Sequence, residues 1–174
     1  MSCLLYLLGL FMPRSRSRSR SGPRGNRNPS GDAAETAAEA ALVSAAVAVG
    51  GVDFRRGDPL QGNPRLTFVD FNVRLPGSYH YMTIQHKGCE GGGRKTSFKA
   101  GGKAQCFRNI KVDFIMFTIS SIHGIDYYLM KPNHRLIKNR RTIQWNFQEF
   151  RNAFAAFHYS AEELMQKFKE ELGG

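Results

Sequence analysis

The chain is short of cysteine, of long apolar runs and of negative charge, and each shortage excludes something. Three cysteines in 174 residues, Cys3, Cys89 and Cys106, are too few and too odd in number for a disulfide framework, so a reducing compartment is expected. No apolar run approaches the roughly 20 residues of a membrane-spanning helix, so no stable membrane insertion is expected. Met1 to Phe11 is apolar but lacks the basic n-region of a secretory signal and runs straight into arginines. It reads as a partner-binding or interfacial segment, a frayed terminus, or residues upstream of a true start at Met12. No Ser-His-Asp order, paired carboxylates or nucleotide fingerprint stands out, which points away from an enzyme and implies no cofactor and no metal.

What is present is positive charge. Twenty-five Lys and Arg against 14 Asp and Glu leave +11 and a pI near 10.0, which suits a polyanionic partner. Residues 1–54 carry +2, residues 55–151 carry +11, and residues 152–174 carry −2. Arg14 to Ser21 is a strict Arg-Ser alternation. With the stretch to Ser30 it offers no large apolar side chain to offset ordering entropy, so residues 1–30 read as a disordered tail. Its arginines can neutralise phosphates, and phosphorylation of Ser15, Ser17, Ser19 and Ser21 would add about −1.5 to −2 each. A solubilising tail or an import signal is the plainer reading. Residues 31–50 are alanine-rich, open on the capping-box pattern Asp32-x-x-Glu35 and stop at Gly50-Gly51. They form a helix that docks or, since nothing large anchors it, a spacer.

Residues 51–174 read as one domain of strands followed by C-terminal helices. Leu66–Val73 and Tyr79–Gln85 are strand-like around a Pro76-Gly77-Ser78 turn. The stretch from Gly88 to Lys103 is glycine-rich and basic but lacks the phosphate-loop pattern. It reads as a backbone-contacting loop, through Arg94, Lys95, Lys99 and Lys103, or as a hairpin tip. His86, Cys89 and Cys106, with His80, could supply zinc ligands, but the spacing is irregular and buried or idle thiols are the expectation. Val112–Ser120 is apolar on both faces, as in a central strand or a dimer seam.

Ile125, Tyr127 and Leu129 alternate with Asp126, Tyr128 and Met130 as a strand. Lys131-Pro-Asn-His134 turns it, and Arg135, Lys138, Arg140 and Arg141 load the return path before Thr142–Trp145 resumes the alternation. Asn146 and Glu149 form a cap, Phe147, Phe150, Phe154 and Phe157 build one helix stripe, and Ser160-x-x-Glu163 caps a second helix. Tyr79, Tyr81, Tyr127 and Tyr128 interleave with those cations as single-strand binders require, with rings for bases and cations for phosphates. The runner-up is a structural RNA-packaging or ribosome-associated protein that binds mainly through its Arg-Ser tail.

From about Cys106 to Phe157, through Tyr128-x-Met130-x-Pro132, Arg140-Arg141-x-Ile143-x-Trp145-Asn146 and Phe150, the sequence resembles the single-stranded-DNA-binding domain of the coactivators called positive cofactor four, with the related Whirly and Pur-alpha proteins. The resemblance implies an α+β fold, a curved antiparallel sheet packed against the C-terminal helix. It also implies a homodimer through that helix and an adjacent strand, with single-stranded DNA or RNA on the sheet face. Arg140, Arg141 and Phe117 match its binding positions. A role in transcription or replication, and a nuclear or otherwise nucleic-acid-associated location, viral and organellar ones included, would follow.

Overall fold

The structure is a computed structural model that describes residues 29–56, 69–91, 97–101 and 106–173. The Arg-Ser tail with Ser15, Ser17, Ser19 and Ser21, and the cations Arg94, Lys95 and Lys103, lie outside the described residues.

In chain order the elements are α1 (Pro29–Val49), β1 (Asp53–Arg56), β2 (Phe71–Arg74), β3 (Tyr81–Glu90), β4 (Ser97–Gly101), β5 (Phe114–Ser121), β6 (Gly124–Met130), β7 (Thr142–Asn146), α2 (Phe147–Phe154), β8 (His158–Tyr159) and α3 (Ala161–Gly173). Six strands form an open sheet in the order β1-β2-β3-β5-β6-β8, and β4 pairs with β7 separately. The expected α+β class, with C-terminal helices packed on a sheet, is what the chain adopts. Every strand pair is antiparallel except β3 with β5, where Ile84 lies beside Phe114 and Gly88 beside Thr118. That parallel neighbour needs a long crossover, which residues 91–113 provide.

β5 is central and buried on both faces, as its unbroken apolar run requires. Phe114 and Met116, with Tyr127 and Leu129 of β6, pack under α1 and α3. Ile115, Phe117 and Ile119, with Tyr128 and Met130, pack under α2, Ile143 of β7 and the loop residues Phe107, Ile110 and Ile137. β5 and β6 are therefore covered on both faces, which corrects the expectation of an open binding surface over Tyr127 and Tyr128, while the face of β2 and β3 that carries Arg74, Tyr81 and Lys87 stays partly exposed.

The alanine-rich segment docks. Ala34, Ala38, Leu42, Ala45 and Ala46 are buried, because small side chains let α1 lie close on the sheet and Leu42 fills the gap. The stripe on α2 holds as read: Phe150 and Phe154 are fully buried and stack at 4.3 Å between ring centroids. It is spent on this chain's own sheet, where Phe150 meets Tyr128 edge-on at 5.0 Å. The stripe assigned to a homodimer is thus occupied within the chain. Of the three expected caps the two C-terminal ones form, while α1 already begins at Pro29, so the Asp32-x-x-Glu35 pattern lies inside it rather than at its start. Asn146 Oδ1 accepts the Glu149 amide at 2.8 Å; Ser160 Oγ accepts the Glu163 amide at 3.1 Å, while Glu163 Oε2 accepts the Ser160 amide at 2.7 Å. Among the described residues no helix is long and apolar enough to cross a membrane.

Candidate active site at the β2–β3 edge

Phe117, Tyr127 and Tyr128 are at most 2% exposed, so their rings have no face to offer a base. Tyr127 lends its hydroxyl to the Ala38 carbonyl at 3.4 Å, and burial with the nearby Glu162 pushes its pKa up to about 12. Burial also raises Tyr128. The cations Arg135, Lys138, Arg140 and Arg141 are exposed as expected. Arg140 lies over the Trp145 ring at 5.4 Å, and Lys99 is on β4 opposite Gln144. The structure thus divides the expected stacking site: the cations face solvent, Phe117, Tyr127 and Tyr128 lie in the core, and of the four tyrosines only Tyr79 and Tyr81, at the β2–β3 turn and the start of β3, are exposed. The zinc reading fares no better. His86 is buried against the Thr118 hydroxyl, Nε2 to Oγ1 2.8 Å, and no three His, Cys, Asp or Glu among the described residues gather to hold a metal ion.

A different group converges where β2 begins beside β3. The Pro76-Gly77 turn, with Gly77 at φ +77°, sets the register of the two strands so that Phe71 faces Ile84. The residue before Phe71, Asp70, is thereby brought to His86, whose backbone amide donates to Asp70 Oδ2 at 2.7 Å. The same oxygen is 4.0 Å from Lys87 Nζ. Gln85 and Lys87 share a face of β3 because strand side chains alternate. Asp70 and Lys87 keep side-chain exposures of 40% and 26%, so the pair sits at the surface, while Gln85 is 4% exposed.

Gln85 Oε1 is buried and accepts no hydrogen bond from any described residue. An unpartnered buried amide oxygen costs about 1–3 kcal/mol, and a group left in that state in a native fold calls for an explanation such as an ordered water, a bound ion or a catalytic role. From the other side of the sheet, Glu35 of α1 reaches over β3 and accepts the Gly88 amide at 3.0 Å. In the sequence Glu35 reads as half of a capping box. Here it ties the helix to the residue after Lys87, and only glycine permits the approach, since a Cβ on Gly88 would meet Glu35 Cγ at 2.8 Å. His86 between them is neutral: burial first, then the Lys87 charge, lowers its pKa to about 3.

Sequence reasoning missed this group, although its signal is there. The two strands and their turn are legible, and counting back from the turn sets Asp70 against residues 84–86. A search for paired carboxylates passes over it because the second oxygen belongs to a glutamine.

No protein-family model and no curated protein matches the chain. Among solved structures, it is similar to a bacterial homing endonuclease at 15% identity and a TM-score of 0.47, over 84% of this chain and 96% of that one. That likeness runs to a nuclease and not to a positive cofactor four, Whirly or Pur-alpha domain. It corrects the family resemblance drawn from residues 106–157, the sequence-tolerant single-strand role and the expectation of no enzymatic activity. Burial takes Phe117, Tyr127 and Tyr128 out of any stacking surface and so removes the rings that the resemblance placed beside the basic hairpin.

Proposed function

We propose that this protein hydrolyses phosphodiester bonds of nucleic acid at a site formed by Asp70, Gln85 and Lys87, with Glu35 as a positioning residue. The observation that carries the reading is the unpartnered Gln85 Oε1, buried on the strand face where Lys87 meets Asp70.

An anionic carboxylate and a neutral amide oxygen make a donor set for a hard divalent cation such as Mg²⁺, which is held by one or two carboxylates together with substrate phosphates and water rather than by an all-protein cage. The orphaned oxygen fits that group, and a zinc-type cage of nitrogen and sulfur does not. Bound there, such a cation supplies Lewis-acid chemistry toward a phosphate. The chain's own residues do the rest. The His86 amide fixes the direction of the Asp70 carboxylate. Lys87 presents an ammonium toward the negative charge that grows on the phosphoryl oxygens in the transition state. Glu35 clamps α1 on Gly88 and keeps that part of β3 from shifting.

The test is a cleavage assay of labelled duplex DNA, single-stranded DNA and RNA with the full chain in millimolar Mg²⁺ or Mn²⁺. Cleavage that stops with EDTA and falls at least a hundredfold in Asp70→Asn and in Lys87→Met is expected. No cleavage of any substrate, or an Asp70→Asn variant as active as the wild type, overturns the reading.

A further inference from the structure

Two stretches of the chain contain no acidic residue at all, Gly91 to Val112 and Tyr127 to Gln148, and together they carry eleven Lys and Arg, the net charge of the whole protein. The fold brings these distant stretches together. β4 from the first pairs with β7 from the second. Phe107 and Arg108 donate their backbone amides to the carbonyls of Arg140 and Lys138 at 2.9 and 3.2 Å, and Arg108 Nη1 donates to Asn139 Oδ1 at 3.1 Å.

The loop between β6 and β7 is built rather than loose. Ile137 is fully buried and pins it to the core. Successive turns lock it, with His134 bonded to Lys131, Ile137 and Lys138 to His134, and Arg140 to Ile137, at 2.8 to 3.0 Å. Around that pin Arg108, Arg135, Lys138, Arg140 and Arg141 are exposed, and among the described residues none of the five has a carboxylate at ion-pair distance. Crowded like charges repel and destabilise a compact state, so a fixed ridge of cations without acids fits a polyanion as its partner.

Its place on the sheet connects it to the candidate site. Gln85 and Lys87 lie beside Ile115 and Phe117 in the strand register and so share their face. That face is the one Phe107, Ile110 and Ile137 cover. The geometry points to this acid-free ridge as the binding surface for the phosphodiester backbone of the nucleic acid that the Asp70–Gln85–Lys87 site cuts. The inference deepens that reading and rests on it. It assigns the ridge a charge-reading role: the five cations contact phosphates and fix the position of the backbone at the site.

The test measures binding of a duplex, a single-stranded DNA and an RNA of equal length to the full chain carrying Asp70→Asn, which separates binding from cleavage. Adding Lys138→Gln with Arg141→Gln spares the Arg140–Trp145 contact and the Arg108–Asn139 bond. It should raise Kd about tenfold at ~0.1 M salt and lower the slope of log K against log salt by ~2 on the preferred substrate. Lys167→Gln with Lys169→Gln on α3, whose apolar side joins the other core, removes the same charge and should change Kd less than twofold. Equal losses in the two variants, or no loss in the first, overturn the ridge. If the ridge effect is present while the wild type cuts nothing, the ridge stands and the catalytic reading falls.

Discussion

At the scale of single residues, two positions are set by the packing around them. Tyr127 has an ordinary pKa of 10.0, raised to about 12 in the folded chain. Below pH 10 folded and unfolded chains are both protonated there. Between pH 10 and about 12 the unfolded chain loses the proton and the folded one keeps it, so stability falls with rising pH by about 1.4 kcal/mol per unit. Urea unfolding at pH 9 and pH 11 should show that loss, and Tyr127→Phe should reduce it; an unchanged difference would mean the hydroxyl is not shielded. Gly88 is the second case. Gly88→Ala puts a methyl at 2.8 Å from Glu35 Cγ and 3.2 Å from the Glu35 backbone nitrogen, an overpacking that costs about 1–3 kcal/mol. A thermal melt reads it, and a wild-type midpoint would show that α1 is free to move.

At the scale of elements, the sequence was legible wherever a local rule decides. The caps at Asn146 and Ser160, the Phe150/Phe154 stripe and the two-sided apolarity of β5 all follow from spacing and residue type within a few positions. What local rules cannot show is which element covers which. α1 has nothing large to announce a docking face, yet its alanines are buried because the partner sheet comes close. Tyr127 and Tyr128 look like a binding pair until α1, α3 and α2 are laid over the two faces. Leu42→Ala tests the docking: at a fully buried position it should cost about 2–5 kcal/mol, while a loss under half a kcal/mol would return the helix to the role of a spacer. Phe154→Asp should abolish cooperative unfolding, since it buries an unpaired charge in the second core.

At the scale of the whole molecule, the account joins an edge that holds Asp70, Gln85 and Lys87 to a ridge that gathers the cations of two acid-free stretches. Neither was visible as a unit in the sequence, because the residues of each are brought together by strand pairing across gaps of 15 to 50 positions. The central claim is that Gln85 Oε1 faces a place meant for a cation, and Gln85→Glu tests it most directly. The substitution turns the orphaned oxygen into a carboxylate of the same shape. Without divalent ions it should lower the melting temperature by several degrees, because a buried carboxylate near Asp70 is poorly compensated. Millimolar Mn²⁺ or Mg²⁺ should restore it and raise the variant's midpoint more than the wild type's, as a ligand that binds only the folded state must. A midpoint that does not respond to either cation, in variant and wild type alike, would contradict the account.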